Sequence, residues 1–451
     1  MSVTLRDLRR CFEGAVPAAI ATSSGDGTPN VTKLSHVQFV DDRHVALSYQ
    51  FFNKTRENIL ANPRATVEVI DPGTATHYHL YLEYQHTETD GPLFEYMKAR
   101  LAAIASHTGM SKVFKLLGSD VYRVLRIDAM PGGLTAAAAE GADLLSGLRA
   151  CLAGLTGSAD LAMLLDGVLE GLERHCDIRH GMVLMFDPQR GCLFTVASRG
   201  YPESGVGSEI GLGEGIIGVA ARERSAIRIG YAVQDYRYVQ ATRQRFAESG
   251  GDIELDREIP FPGVPDANSQ LAVPILLDQR LLGVIYVESP QEQRFSYEEE
   301  DALSILAGQL AMAIELLARN SEQAAEPVRE TVALPQPPVA GSAPVEVRHF
   351  AADRSVFVDN EYLIKGVAGA ILWKLLSEYN EGGRCEFTNR ELRLDVSLGL
   401  PDITDNLDAR LILLQRRLAE RCPFLGIEKT GRGRFRMAVR RPVRLENVAR
   451  C

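Results

Sequence analysis

Near the end of the chain, leucines recur at the spacing of one face of an α-helix, which predicts an amphipathic helix. They are Leu407, Leu411, Leu414 and Leu418. Further on, Phe435 and Met437 alternate with arginines, as in a strand that has one buried face. Gly431 and Gly433 allow a tight turn just before this strand. The pattern therefore predicts a helix followed by a hairpin with a basic tip.

This predicted helix and hairpin are rich in cationic side chains. A helix fits the major groove of DNA, and basic side chains at a hairpin tip reach phosphates or the minor groove. Residues 346–451 hold 19 basic and 15 acidic residues, whereas the rest of the chain holds 30 and 44. A basic end on an acidic body indicates nucleic-acid binding, the alternative being a solvated basic tail. The predicted DNA contacts are Arg410, Arg416, Arg417, Lys429, Arg432 and Arg434.

The first 133 residues show a mostly β pattern. Two predicted strands flank a hairpin turn at Asp26-Gly27. A short helix is predicted from Thr55 to Ala61, and Asn62-Pro63 ends it. Lys54, Thr55 and Arg56 lie at its N-terminus, where backbone amides, a hydroxyl and two cations suit a phosphate.

The hairpin, the run from Asn53 to Pro63 and the later segment Thr87–Phe94 resemble the FMN-binding split barrel of the pyridoxamine-5′-phosphate-oxidase-like superfamily. The resemblance covers residues 5–130 and implies an FMN-binding domain at residues 1–133. It implies Lys54, Thr55 and Asn58 beside the flavin phosphate and Thr32, Lys33, Leu34 and Ser35 beside the ring. Barrels of this family usually pair around the flavin, so a homodimer is implied. The alternatives are a barrel whose helix is merely capped by Thr55, and a haem-binding relative that uses His77 or His79.

A second domain is predicted at residues 143–320. A helical apolar pattern at Leu144–Cys176 precedes predicted strands and the glycine-rich segment Gly211–Ala221. This segment lacks the Lys-Ser/Thr end of a phosphate-binding loop. Together with the later strands Ser269–Ile275 and Leu281–Glu288, it resembles the GAF domain. The resemblance implies a pocket for a small ligand under a lid at residues 231–268.

A proline-rich linker is predicted at residues 321–345. Beyond it come short strands, a helix, and a second helix capped by Thr388 with Glu391 in the capping box. The order of strands, three helices and a hairpin over residues 346–438 resembles the winged-helix DNA-binding domain of OmpR/PhoB-type regulators, and we assign residues 346–441 to it. Gln415, Leu413 and Arg434 depart from the family pattern. The resemblance therefore implies DNA binding as a class and no particular base contacts.

The predicted fold class is a multidomain α+β protein with a split β-barrel, a GAF α/β sandwich and a winged helix. The chain has no run of the roughly 20 apolar residues that a membrane span needs, and its N-terminus lacks the apolar core of a signal peptide. A cytoplasmic location without a membrane partner is therefore expected. The seven cysteines form no CxxC pair, so no metal site is predicted.

This domain order predicts a one-component transcription regulator. In this hypothesis the barrel and the GAF domain sense a flavin, redox or small-molecule signal, and the winged helix binds double-stranded DNA in a homodimer. The alternative is an FMN-dependent oxidoreductase regulated by the other two domains, because flavin chemistry scarcely needs a catalytic acid or base from the protein. A third hypothesis is a barrel that has lost flavin and only holds two chains together.

Overall fold

The computed structural model describes three folded regions of the chain. It describes residues 3–12, 16–34, 36–49, 53–72, 74–107, 116–130, 144–155, 157–230, 259–265, 267–323, 344–398, 400, 407–431 and 433–448. We refer to residues 3–130 as the N-terminal domain, 144–323 as the middle domain and 344–448 as the C-terminal domain. Ser35, Arg432, most of the predicted lid and most of the predicted linker lie outside the described residues.

The described part of the N-terminal domain forms a seven-stranded antiparallel sheet in the order β2-β1-β5-β6-β7-β4-β3. Its elements are β1 (Ala18–Ser23), β2 (Pro29–Leu34), β3 (Val37–Phe39), β4 (His44–Tyr49), α1 (Asn53–Ala61), β5 (Arg64–Ile70), β6 (His77–Glu88), α2 (Pro92–His107) and β7 (Gly118–Ala129). Alternate residues of β5, Ala65, Val67 and Val69, are buried in the core, as expected of a strand with one buried face. The predicted short helix begins two residues earlier than expected, at Asn53.

The middle domain has a six-stranded sheet in the order β10-β9-β8-β13-β12-β11 among its described residues. Its elements are α3 (Leu144–Leu155), α4 (Leu161–Cys176), β8 (His180–Asp187), β9 (Cys192–Arg199), β10 (Glu209–Gly211), α5 (Gly215–Glu223), β11 (Ile227–Ile229), β12 (Ser269–Leu277), β13 (Arg280–Ser289) and α6 (Tyr297–Gln323). Val183 and Met185 of β8 pack with α3, α4 and α6, whereas Met182 and Leu184 pack with α5. Both faces of the sheet are therefore covered, which explains its nearly continuous apolar strands.

Helix α6 is long and apolar enough, over Tyr297–Asn320, to cross a membrane by length and composition. The core helix of a soluble protein passes the same test, and one face of α6 packs into the middle-domain core. The buried residues of that face include Leu303, Leu306, Leu310 and Ile314. Its other side carries the exposed residues Ile305, Met312 and Leu316, so α6 has one buried apolar face and a second apolar stripe in solvent.

The described part of the C-terminal domain combines a four-stranded sheet, β16-β15-β14-β20, with a three-stranded sheet, β17-β19-β18. Its elements are β14 (Val345–Phe350), β15 (Ser355–Val358), β16 (Glu361–Ile364), α7 (Gly366–Gly382), β17 (Glu386–Thr388), α8 (Asn389–Leu394), α9 (Leu407–Arg421), β18 (Leu425–Gly431), β19 (Arg434–Val439) and β20 (Val443–Val448). The predicted cap at Thr388 is confirmed, because the Glu391 amide donates to Thr388 Oγ1 at 3.2 Å. Helix α9 and the β18–β19 hairpin lie at the predicted positions.

Helix α9 is buried on more sides than a single apolar face allows. The consecutive residues Ile412, Leu413 and Leu414 are all at most 5% exposed, although residues adjacent in a helix point about 100° apart. Helix α9 contacts α7 and β18 within its own domain and α4 and β9 of the middle domain. Leu407, Leu414 and Leu418 of the predicted leucine face are buried, and a second face of α9 packs against the middle domain.

Gly283 of β13 lies where the neighbouring strand leaves no room for a side chain, since a Cβ there would be 2.1 Å from the Leu184 carbonyl oxygen. Gly283→Ala is therefore expected to lower the free energy of unfolding by about 2 kcal/mol, because overpacking a core costs about 1–3 kcal/mol. Gly308→Ala in α6 is the matched control. No described atom lies within 4 Å of a Cβ there, and alanine favours a helix over glycine by about 1 kcal/mol. Chemical denaturation measures both variants, and equal destabilisation would contradict the packing argument.

Candidate functional site

The first turn of α1 carries the residues predicted to hold a flavin phosphate. Lys54 is exposed, but Thr55 and Asn58 are 4% and 1% exposed. Thr55 Oγ1 accepts a hydrogen bond from Asn30 Nδ2 at 2.9 Å, and Asn58 Nδ2 donates to Thr22 Oγ1 at 3.1 Å. Thr55 and Asn58 therefore fasten α1 to β1 and β2, while the Lys54 ammonium stays open to an anion.

A buried aspartate that the sequence analysis missed lies beside this turn. Asp120 of β7 is 5% exposed. It pairs with Arg56 NH1 at 2.5 Å and accepts a hydrogen bond from Thr87 Oγ1. The Arg56 guanidinium also lies over the Tyr49 ring, 4.8 Å from its centre. Arg56 is thus neutralised within the barrel, so Lys54 is the more open cation of the turn.

The residues predicted to face the flavin ring lie on β2, at the edge of the sheet. Thr32 is half-buried, Lys33 is exposed and Leu34 is buried. The cavity lined by Thr55 and Arg56 has a volume of only about 10 Å³, which is room for one water molecule. Among the described residues, the donors of this turn therefore fit a phosphate at the surface, but the cavity beside them is too small for a tricyclic ring.

The histidines that suggested haem as an alternative lie on β6. His77 Nδ1 is 2.8 Å from Glu68 Oε1, and His79 Nε2 is 3.7 Å from the same oxygen. Among the described residues, no group of three or more His, Cys, Asp or Glu side chains is arranged to hold a metal ion.

The glycine-rich segment of the middle domain has a structural cause. A Cβ at Gly218 would lie 2.2 Å from the Gly211 carbonyl oxygen, and Gly213 has φ +87°. Glycine is therefore needed where the start of α5 packs against the preceding loop.

On the face of the sheet that carries α5, a carboxylate that the sequence analysis missed is buried among aromatic rings. Glu288 is 3% exposed, and burial raises its pKa. Its two oxygens accept hydrogen bonds from the Tyr286 hydroxyl and the Val264 amide, both at 2.8 Å. Burial also raises the pKa of Tyr201, which lies beside Glu288. These polar groups line the side of the sheet where the GAF resemblance expects a ligand.

Most of the predicted DNA contacts on α9 are engaged by the middle domain. Arg410 NH2 lies 2.8 Å from Asp187 Oδ2, and the two side chains are only 4% and 1% exposed. The Arg410 guanidinium also lies over the Phe194 ring, 4.3 Å from its centre. Arg416 donates to the Val196 carbonyl oxygen at 2.7 Å and pairs with Asp166 at 2.8 Å. In this arrangement neither arginine is free to reach a phosphate.

The remaining predicted contacts are divided between the interior and the hairpin. Arg417 is buried and donates to the Leu363 carbonyl oxygen at 3.1 Å, so it stabilises its own domain. Lys429 of β18 pairs with Asp160 of the middle domain at 2.7 Å. Arg434 is half-buried on β19, and Arg432 lies outside the described residues. Arg416 lies on the side of α9 that the middle domain covers.

The burial of Leu413 explains one departure from the winged-helix pattern. It is apolar at a position that is usually polar in that family, and it is 5% exposed. It belongs to one apolar cluster together with Phe194 and Val196 of the middle domain. The departure therefore makes α9 a surface that docks onto the middle domain.

A second interface joins the N-terminal and middle domains. Arg228 pairs with Glu300 at 2.8 Å and lies over the Tyr297 ring, while the Tyr96 hydroxyl donates to Glu300 at 3.2 Å. His36, 4% exposed, lies close to this interface. Both interfaces of the middle domain thus contain a nearly buried arginine–carboxylate pair.

Comparison with known proteins identifies two of the three domains. Residues 5–129 match the family model described as pyridoxamine 5′-phosphate oxidase, and residues 158–315 match that of the GAF domain. The chain therefore contains an N-terminal domain of the pyridoxamine-5′-phosphate-oxidase type and a GAF domain.

The relatives cover only parts of the chain. It is 30% identical over 175 residues to nitrogen fixation protein VnfA of Azotobacter vinelandii, covering 38% of this chain and 30% of that protein. A GAF domain from an Acinetobacter phosphoenolpyruvate-protein phosphotransferase is 23% identical, with 41% of this chain and 97% of that chain covered and a TM-score of 0.30. An FMN-binding protein from Syntrophomonas wolfei is 16% identical, with 28% and 84% covered and a TM-score of 0.24.

The chain spans less than a third of the length of VnfA.

The buried His36, near the interface between the N-terminal and middle domains, is expected to make the protein less stable in acid. Burial, followed by the charge of Arg100, lowers the pKa of His36 from 6.5 to about 3. Because the unfolded chain binds this proton first, the stabilisation present above pH 6.5 is lost as the pH falls toward 3, at up to about 1.4 kcal/mol per pH unit. His36→Gln should make the free energy of unfolding less dependent on pH between 6.5 and 4.5, measured by urea denaturation. The control is His86→Gln, at an exposed site, and equal pH slopes in both variants would contradict the assignment.

Proposed function

We propose that the protein is a one-component transcription regulator whose C-terminal domain is a winged helix that binds double-stranded DNA. The element order of that domain and its basic α9 and hairpin support this proposal. The GAF domain supports the regulatory part.

The observation that carries the proposal is the pairing of α9 and hairpin cations with acidic side chains of the GAF domain. Arg410 pairs with Asp187, Arg416 with Asp166 and Lys429 with Asp160. A carboxylate and a DNA phosphate are both anions that bind the same cationic groups. The GAF domain and DNA would therefore compete for one surface, and DNA binding would require α9 to leave the GAF domain.

We further propose that the N-terminal domain binds FMN at the β2 edge of a homodimer. Lys54 would hold the phosphate, and Thr32 and Lys33 would lie beside the ring. Val31 of β2 and Leu60 of α1 are 69% and 64% exposed. Apolar side chains at an open sheet edge provide a surface that a flat ring and a second barrel would cover together.

If the GAF domain and DNA compete for α9, replacing acidic partners on the GAF domain and replacing a basic partner on α9 should have opposite effects on DNA affinity. Asp166→Asn combined with Asp160→Asn should raise DNA affinity by about two- to thirtyfold, because exposed ion pairs contribute about 0.2–1 kcal/mol each. Asparagine at 160 still caps α4. Arg416→Ala should instead lower DNA affinity and reduce the salt slope by about 0.9, the value for one lost phosphate contact.

Binding of the full chain to a duplex of mixed sequence, measured by fluorescence anisotropy over a range of salt concentrations, tests both effects. Glu170→Gln is the matched control for the aspartates, because Glu170 lies on α4 but pairs with Arg174. If the aspartate variants lower DNA affinity as Arg416→Ala does, the competition is refuted. If no variant and no salt concentration gives DNA binding, the assignment of the C-terminal domain is refuted.

Flavin binding predicts one FMN per chain. Lys54→Gln should weaken FMN binding by about tenfold, because a hydrogen bond to a charged group contributes about 1.5–3 kcal/mol. Lys98→Gln is the control, since Lys98 is also exposed but lies on α2 and pairs with Glu95. Flavin fluorescence quenching measures the affinity, and no saturable binding would refute the flavin site.

The same protein sample separates the sensor from the oxidoreductase alternative. The match to the pyridoxamine 5′-phosphate oxidase family keeps that alternative in view. Repeated turnover of a reduced nicotinamide with an electron acceptor, lost in Lys54→Gln, would favour the enzyme. Bound FMN without turnover would favour the sensor.

A further inference from the structure

A cavity of about 350 Å³ lies between the GAF domain and the C-terminal domain. Its GAF side is formed by the start of α4, including Leu161, and by Leu317 of α6. Its other side is formed by Leu411 of α9 and by Ile427 and Phe435 of the hairpin. The volume is near the lower end of the range for small-molecule sites, about 300–1,000 Å³, and the walls are mainly apolar.

The carboxylates that border this cavity are already used by protein groups. Asp160 Oδ1 caps α4 by accepting from the Met163 amide at 2.9 Å, and its Oδ2 takes Lys429 at 2.7 Å. Asp408 Oδ1 accepts from Asn389 Nδ2 at 2.8 Å. The charge of Asp160 is balanced by Lys429, and the Asp408 carboxylate is held by a neutral amide donor.

The hairpin contributes positive charge to the same cavity. Lys429 and Arg434 both border it, and the Lys429 side chain is 52% exposed. An ammonium group has three protons to donate and a guanidinium five, so Lys429 can bind a second anion while it holds Asp160, and Arg434 can do so beside the contact that it already makes within the protein. The N-termini of α4 and α9 also border the cavity, and helix N-termini favour negative charge.

We propose that this cavity binds a small amphipathic monoanion, a carboxylate on an apolar body of roughly ten non-hydrogen atoms. The apolar body fills the space between Leu161, Leu317 and Leu411, and the carboxylate faces Lys429 and Arg434. This site is separate from the face of the GAF sheet that carries α5 and Glu288. No described side chain of the N-terminal domain lines it.

The location of the cavity determines whether the bound anion favours or opposes DNA binding. Its walls come from two domains, so the site exists only while α9 is docked on the GAF domain. A ligand that binds one of two states shifts the equilibrium toward that state. The anion therefore holds α9 closed and opposes DNA binding, a consequence that rests on the proposed function. At a ligand concentration 100 times its Kd, the ratio of closed to open protein rises by a factor of about 100.

Isothermal titration of the full chain with three probes of equal length tests the site: octanoate, 1-octanol and octylammonium. We expect one octanoate per chain, 1-octanol bound at least about tenfold more weakly because it lacks the charge, and octylammonium more weakly still. Equal binding of octanoate and 1-octanol, or no octanoate binding, would overturn the proposal.

Two pairs of variants keep this test specific. Arg434→Gln should reduce octanoate affinity to nearly that of 1-octanol. Arg421→Gln should not, because Arg421 is an exposed arginine at the end of α9, away from β19 where Arg434 lies. Leu411→Trp should fill the cavity and abolish binding of both octanoate and 1-octanol, whereas Leu316→Trp on the exposed side of α6 should not. Equal effects within either pair would overturn the site.

DNA binding is measured separately, so that the two proposals can fail independently. Saturating octanoate should lower the DNA affinity of the wild type and leave that of Leu411→Trp unchanged. Octanoate that raises DNA affinity would overturn the closing role. Octanoate that binds with Arg434 dependence to a protein without DNA binding would support the cavity site and refute the proposed function.

Discussion

A guanidinium and a carboxylate that are both nearly excluded from water hold the C-terminal domain against the GAF domain. Arg410 and Asp187 are 4% and 1% exposed and 2.8 Å apart. Removing one partner of such a buried pair costs about 3–5 kcal/mol, whereas a whole domain is stable by about 5–15 kcal/mol. The more exposed Lys429–Asp160 pair contributes about 0.2–1 kcal/mol. Because that cost is the penalty of leaving one charge buried without its partner, the pair determines which surfaces dock, and the apolar packing around it supplies most of the stability of the interface.

This dependence limits how the interface can open. Opening returns Arg410 and Asp187 to water, which restores their hydration, but it also exposes Leu413 and Ile412 to solvent. The Asp187 side chain would keep its position after opening, since its Oδ1 accepts hydrogen bonds from the Gln189 and Arg190 amides in the β8–β9 turn. The cost of opening is thus mostly hydrophobic, about 1.5–3 kcal/mol for each large apolar side chain exposed. In the proposed function, DNA would offset this cost by binding the released cations, so the GAF domain and DNA would exclude each other.

Local patterns were sufficient to predict α9, the hairpin, the Thr388 cap and the mainly β N-terminal domain, because each depends on neighbours within a few residues. The partners of Arg410 and Arg416 could not be predicted, since Asp187 and Val196 lie more than 200 residues earlier and their own segments look like an ordinary turn and strand. Leu413 was the one local signal. Together with Ile412 it widens the apolar stripe of α9 beyond a single face, and it pointed to a second packing surface. Asp120, a lone acid within a strand, gave no signal of its pairing with Arg56.

Helix α6 is the element that physically connects the two interfaces of the GAF domain. Near its N-terminus, Glu300 pairs with Arg228 and accepts from Tyr96 of the N-terminal domain. Near its C-terminus, Leu317 lines the cavity beside α9. At about 1.5 Å per residue these two positions are about 25 Å apart along one continuous helix. Coupling between distant sites requires an element whose arrangement both sites bias, and α6 contacts both. In the proposed function, a shift of α6 would be one route by which the barrel could bias α9, with an energetic effect limited to a coupling of about 1–3 kcal/mol.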